Sequence, residues 1–176
     1  MIEIIRRDKA GKWSNIAGTL ALIWMCVIFA FSAQTKEESS VVSEGFSYRI
    51  VNTTGLFFHL NLDEEQLREI AAAIEYFVRK GAHMTEYAIL AVLLYIWTSR
   101  WELTRLRRSL TAAVATMLYA GSDEFHQLFV AGRSGRISDV LIDSAGAVIG
   151  LVFFLLAESI VEALRKRRQA RKATRK

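Results

Sequence analysis

Residues Gly121–Asp143 read GSDEFHQLFVAGRSGRISDVLID, with four acids, one histidine and two arginines in 23 positions. The stretch closes one apolar run, Leu110–Val130, and opens another, Val140–Ala157. Crossing a bilayer takes roughly 20 mostly apolar residues. The polar stretch therefore falls where two membrane helices would turn around. An ionisable group at such depth is costly in lipid and is expected to face a bundle interior or a wet cavity.

Two further apolar runs lie upstream, Ile16–Ala33 and Ala82–Trp97. The chain has 176 residues, of which 52% are hydrophobic, with no proline and one cysteine. That length suits one domain, and a lone cysteine excludes an intrachain disulfide framework. The expectation is an all-α, polytopic membrane bundle forming a single domain over 1–176. Its four transmembrane helices fall at about 14–33, 80–98, 109–130 and 139–158. Residues 1–33 also have the basic start and small residues of a secretory signal. Their apolar run exceeds the usual length of roughly 7–15 residues, so a retained anchor is expected.

Charge sets the orientation. Arg6, Arg7, Lys9 and Lys12 precede the first span, and Arg100, Arg105, Arg107 and Arg108 lie between the second and third. The end of the chain, 162–176, is a basic tail with eight cations and no acid from Arg165 onward. Positively charged segments stay on the cytoplasmic side, which places both termini inside. Beside a hydrophobic helix the tail reads as a membrane-surface anchor and not as a nucleic-acid site. The loop from Gln34 to Gln66 is acidic on balance and goes outside. Starting at its end, Asp63–Lys80 has a capping residue, three acids in its first turn and an apolar stripe at helical spacing. It is expected to be an amphipathic extracytoplasmic helix, lying on the membrane surface or running straight into the second span.

Helical spacing then gathers the polar residues. Arg79, His83 and Glu86 share one face at i, i+4 and i+7, and Asp123, His126 and Gln127 share another, with Glu124 about 100° away. Asp139 and Asp143 are one turn apart, and the same stripe continues through Gly146 and Gly150, a spacing that lets a neighbouring helix approach closely. All three groups fall at outer helix ends. Lys80 is expected to snorkel to headgroups.

The motifs FSAQ at Phe31–Gln34, RKGAHMTEYAIL at Arg79–Leu90 and the run Ser122–Gly150 together resemble the VanZ-like family of bacterial membrane proteins. The resemblance implies a small helical protein of the bacterial plasma membrane and a link to low-level resistance to the glycopeptide teicoplanin. It implies a polar signature at Arg79, Lys80, His83, Glu86, Tyr87, Asp123, Glu124, His126, Gln127, Gly132, Arg133, Asp139 and Asp143. Two departures stand out: Ala131 where members commonly carry proline, and Asp143 where asparagine is frequent.

Three functions fit this pattern. In the first, Arg79, Gln127, Arg133, Arg136, Asp139 and Asp143 bind an anionic lipid head, such as a polyprenyl phosphate or a lipid-linked cell-wall precursor. Arginine makes charge-assisted, bidentate contacts to phosphate, and Asp139 is expected to hold an arginine in place. In the second, His83, Glu86, Asp123, Glu124 and His126 are catalytic in a phosphoester hydrolase or transferase, with or without a divalent metal. In the third, the cluster is a structural hydrogen-bond network. The sequence assigns no cofactor and no oligomeric state.

Overall fold

A computed structural model describes residues 2–173, with side chains from 11 to 172. The described residues form five α-helices: α1 (Ile2–Ser32), α2 (Lys36–Phe57), α3 (Glu64–Trp97), α4 (Arg105–Gln127) and α5 (Ile137–Ala173), with a 3₁₀ turn at Thr98–Arg100. The side chains of Arg6, Arg7 and Lys9, and the last three tail residues, lie outside the described part.

The expected spans overlap α1, α3, α4 and α5, although α4 ends at Gln127, three residues before the expected end at 130. Over Gly11–Ser32 and Ile137–Lys172 the chain is long and apolar enough to cross a membrane, and only 22% and 28% of those apolar windows are buried within the protein. Such outward-facing apolar surface needs an apolar surrounding, not water. α3 and α4, which carry most of the ionisable residues singled out above, do not reach that apolar composition.

The four helices pack into one bundle with α3 at its centre. Tyr87, Leu90, Ala91 and Tyr95 of α3 are fully buried, against Ala21 and Ile28 of α1, Ala112 and Ala120 of α4, and Ala147 and Leu151 of α5. Small residues let backbones meet. A Cβ on Gly146 would strike the Met84 backbone, with its Cα at 2.6 Å, and one on Gly150 would lie 2.7 Å from the Ala88 Cβ. The glycine spacing on α5 thus does set a close approach of α3 and α5. Side-chain donors reach backbone carbonyls across the bundle: Ser14 Oγ to Trp97 O at 2.6 Å, Trp24 Nε1 to Glu86 O at 2.9 Å, and Tyr119 Oη to Met25 O at 2.6 Å.

The segment between α1 and the expected second span departs from expectation once. Asp63–Lys80 runs straight into that span, one of the two arrangements expected for it. Asp63 caps α3 through a capping box with Gln66, and the helix continues unbroken to Trp97. The fifth helix is instead α2, in a stretch read as loop. Thr35 caps it by a reciprocal box with Glu38, which satisfies two orphan donors at once. Its buried stripe is Ser43, Ser47, Val51 and Gly55, packed along the first half of α3 through Val51, Leu67 and Ala71. A stripe so poor in large apolar residues leaves almost no hydrophobic periodicity to read.

Candidate functional site

The three polar segments meet at one end of the bundle. A cavity of about 280 Å³ opens there among α3, the end of α4, the turn 128–136 and the start of α5. Of the eleven residues expected to form a site, eight line it: Arg79, His83, Glu124, Gln127, Arg133, Arg136, Asp139 and Asp143. Lys36, Tyr76 and Lys80 complete much of the wall.

The turn that follows α4 is built by its glycines. Gly132 has φ +72°, a left-handed conformation that side chains rarely adopt. A Cβ on Gly135 would collide with the Glu124 carbonyl. The turn therefore folds tightly over the end of α4. Glu124 Oε2 accepts the backbone N–H of Arg136 at 2.9 Å, and Arg136 Nε donates to Ser134 Oγ at 3.2 Å. Arg133 Nε donates to the carbonyl of Gln34 at 3.1 Å, and the Lys36 N–H reaches the carbonyl of Ala131 at 3.4 Å. The end of α1 and the start of α2 are thereby tied to the cavity rim.

Arg79 is held by its own partners. Its guanidinium pairs with Glu75 and donates to Ser40 Oγ at 3.0 Å and Ser43 Oγ at 3.3 Å, while its buried Nε has no acceptor. Ser43 Oγ also donates to Glu75 at 2.5 Å. That bond, with Arg79 behind it, holds the Glu75 carboxyl below its ordinary value of 4.5. Burial, with Arg79 nearby, pushes the Arg133 guanidinium below its usual value, and arginine stays charged under any ordinary condition.

Asp139 does not hold an arginine. It pairs with Lys80 at 2.7 Å, both about four-fifths buried. Lys80 was expected to reach for headgroups; the carboxylate one helix away is a closer partner for its ammonium. Lys36, Glu75, Ser40 and Ser43 went unread because they act from α2 or from the helix it packs on. The box Thr35-x-x-Glu38 is the sequence signal that would have found α2.

Three expected residues stand outside the cavity. Asp123 is buried behind it, where Oδ2 accepts from the Tyr87 hydroxyl at 3.0 Å and lies 3.5 Å from Gln127 Nε2. Gln127 Nε2 also donates to Ser32 Oγ at 3.1 Å, so Asp123 and Gln127 link α4 to α3 and α1. Glu86 faces the adjoining groove, its Oε2 3.3 Å from His83 Nδ1. His126 turns away and packs on Phe29 of α1, ring centres 4.4 Å apart. Helical spacing placed His126 beside Asp123 on the wheel, but α1 occupies that side.

Five cations, Lys36, Arg79, Lys80, Arg133 and Arg136, face three acids, Glu124, Asp139 and Asp143, around this space. Lys80 is paired with Asp139, Arg79 with Glu75 just outside the lining, and Glu124 accepts a backbone N–H, while Lys36, Arg133 and Arg136 stand in no ion pair among the described residues. The balance favours an anion. No group of three or more His, Cys, Asp or Glu among the described residues is placed to hold a metal ion.

The motifs that line this end also carry the family. The VanZ/LLP1 family model matches residues 18–158. No curated protein and no solved structure matches the chain. With most of its length matched, this chain belongs to the VanZ/LLP1 family, and its apolar helices mark it as a membrane protein.

Proposed function

We propose that the chain is a four-span protein of the bacterial plasma membrane, with both termini cytoplasmic, whose outer cavity binds the anionic head of an envelope lipid. A polyprenyl phosphate, or a cell-wall precursor carried on one, has the required chemistry. The observation that carries this reading is the excess of cations around a cavity that still has room. Arg79 and Arg133 are fixed by Glu75, Ser40, Ser43 and the Gln34 carbonyl, so little side-chain entropy remains to be lost on binding. Arg79 keeps a buried donor, Nε, without an acceptor, and a phosphate oxygen would satisfy it.

The topology has separate support. α3 and α4 are long enough to cross the bilayer, at 34 and 23 residues. Asp123 and Gln127 are buried, and Lys80, His83 and Glu124 face the cavity, which is how a span tolerates such groups. Arg100, Arg105 and Arg108 sit at the end opposite the cavity, as the positive-inside rule requires. A protein that sequesters or redistributes a lipid-linked precursor would deprive a glycopeptide such as teicoplanin of its target, the form resistance would take here.

Purified protein examined by native mass spectrometry is expected to retain a polyprenyl phosphate through detergent exchange, and Arg133→Gln is expected to lose it. Protein that binds neutral and anionic lipids alike would overturn the reading. Release of inorganic phosphate from the bound lipid, abolished by Glu124→Gln, would move the assignment to a phosphoester hydrolase.

A further inference from the structure

Beside the polar cavity runs a second opening of about 530 Å³ between the end of α1, α2 and α3. The two share Arg79, His83 and Arg133 as common wall. On its far side the groove is lined by Phe31, Val41, Val42, Phe46, Val78 and Ala82. Phe31, Val41, Val42 and Phe46 are 46%, 71%, 61% and 59% exposed. An apolar wall of this kind needs a cover. Its floor, however, is charged: Arg79 Nε is buried without an acceptor, and Glu86 Oε2 is buried 3.3 Å from His83 Nδ1. A neutral bulk lipid offers Arg79 Nε no anionic acceptor, whereas a phosphate at the junction would, and leaving that donor buried and unpaired is costly.

We infer that this groove is the seat of a single hydrocarbon chain whose anionic head lies in the polar cavity, so that the ligand is a single-chain prenyl phosphate or pyrophosphate and not a two-chain phospholipid. The inference rests on the head-group reading above and adds to it the path of the tail. The shared arginines fix where the two parts join: a phosphate held between Arg79 and Arg133 stands at the mouth of the groove. The singleness of the chain follows from the surroundings. The other apolar groove nearby, between α3 and α5 at Met84, Ala88 and Gly146, shares no lining residue with the polar cavity, so of the two grooves the one beside α2 alone is continuous with the head site. The groove also gives α2 a task, since Val41, Val42 and Phe46 supply its outer wall.

The test uses the full chain in nanodiscs of phosphatidylcholine, with a photoreactive farnesyl pyrophosphate as probe. Labelling is expected on the segments carrying Val42, Phe46 and Val78, and excess unlabelled farnesyl pyrophosphate should suppress it. Ala82→Trp, which fills the groove, should cut that labelling about tenfold while binding of inorganic pyrophosphate stays unchanged. Phe46→Glu, at an exposed position on the opposite wall, should do the same and serves if Ala82→Trp disturbs folding. Labelling spread evenly over outward-facing residues such as Leu118 and Phe153, or labelling indifferent to both substitutions, overturns the inference. A failure of the head-group reading looks different: inorganic pyrophosphate would not bind, and Arg133→Gln would leave groove labelling intact.

Discussion

The two ends of this bundle carry comparable numbers of charged groups and use them in opposite ways. At the end formed by Trp97, Arg105 and Glu158, the groups close on one another. Arg105 reaches Glu158 at 3.2 Å, Glu162 at 3.1 Å and Ser159 at 3.2 Å. Arg108 lies 4.1 Å over the Tyr95 ring and donates to the Tyr95 carbonyl, and the Tyr95 hydroxyl donates to Glu158. At the opposite end Arg79 and Lys80 are paired as well, but Lys36, Arg133 and Arg136 border the cavity without an ion-pair partner among the described residues. Charge at a helix end is therefore not the mark of a site. Unpaired charge of one sign beside a cavity is what the proposed function rests on.

Substitutions can separate the ends. The largest effect should come from what both share, the contact of α3 with α5. Gly146→Ala puts a Cβ into the Met84 backbone, and overpacking of this kind costs about 3 kcal/mol. Thermal unfolding in detergent should show the loss, together with loss of lipid binding. Next come the arginines, one from each end. Arg133→Gln should weaken anionic-lipid binding at least about tenfold with little change in melting temperature. Arg105→Gln should leave lipid binding unchanged and lower stability by about 0.5–1 kcal/mol, the usual worth of an exposed ion-pair network. Equal effects of the two on binding would erase the distinction between the ends.

Of similar size is the tie behind the cavity. Ser32→Ala removes the acceptor for Gln127 Nε2 and should cost about 1 kcal/mol, read as a lower melting temperature. The least effect should be that of mild acid on α2. The Glu75 carboxyl is held below 4.5 when folded, first by Ser43 and then by Arg79. A depressed folded value means that the stabilisation is present above the unfolded value and is lost as pH falls through the folded one. α2 should loosen from α3 only below about pH 4.5. Hydrogen exchange in α2 between pH 6 and 3.5 would check this, and Glu75→Gln should remove the pH dependence.

The contrast also explains what the sequence made legible. The apolar runs and the polar helix ends were readable because period and hydropathy are local properties, and eight of the expected site residues do line one cavity. The role of His126 was not, since only the position of α1 decides which neighbour a helix face meets. Lys80 was misread for a similar reason: a cation near a span end reaches for headgroups unless a carboxylate from another helix is closer, and Asp139 is. α2 escaped because Ser43, Ser47 and Gly55 make a buried face without hydrophobic contrast. The proposed four-span topology rests on charge asymmetry and helix length, since only α1 and α5 are apolar enough to count as spans by composition.

The most direct measurement is an experimental structure of the full chain with bound polyprenyl phosphate. The expected result places the phosphorus within about 4 Å of guanidinium nitrogens from both Arg79 and Arg133, with the chain leaving past Phe46. Phosphate found instead beside Arg105 or along the basic tail would contradict the claim that the surplus cations of the cavity exist to hold an anion.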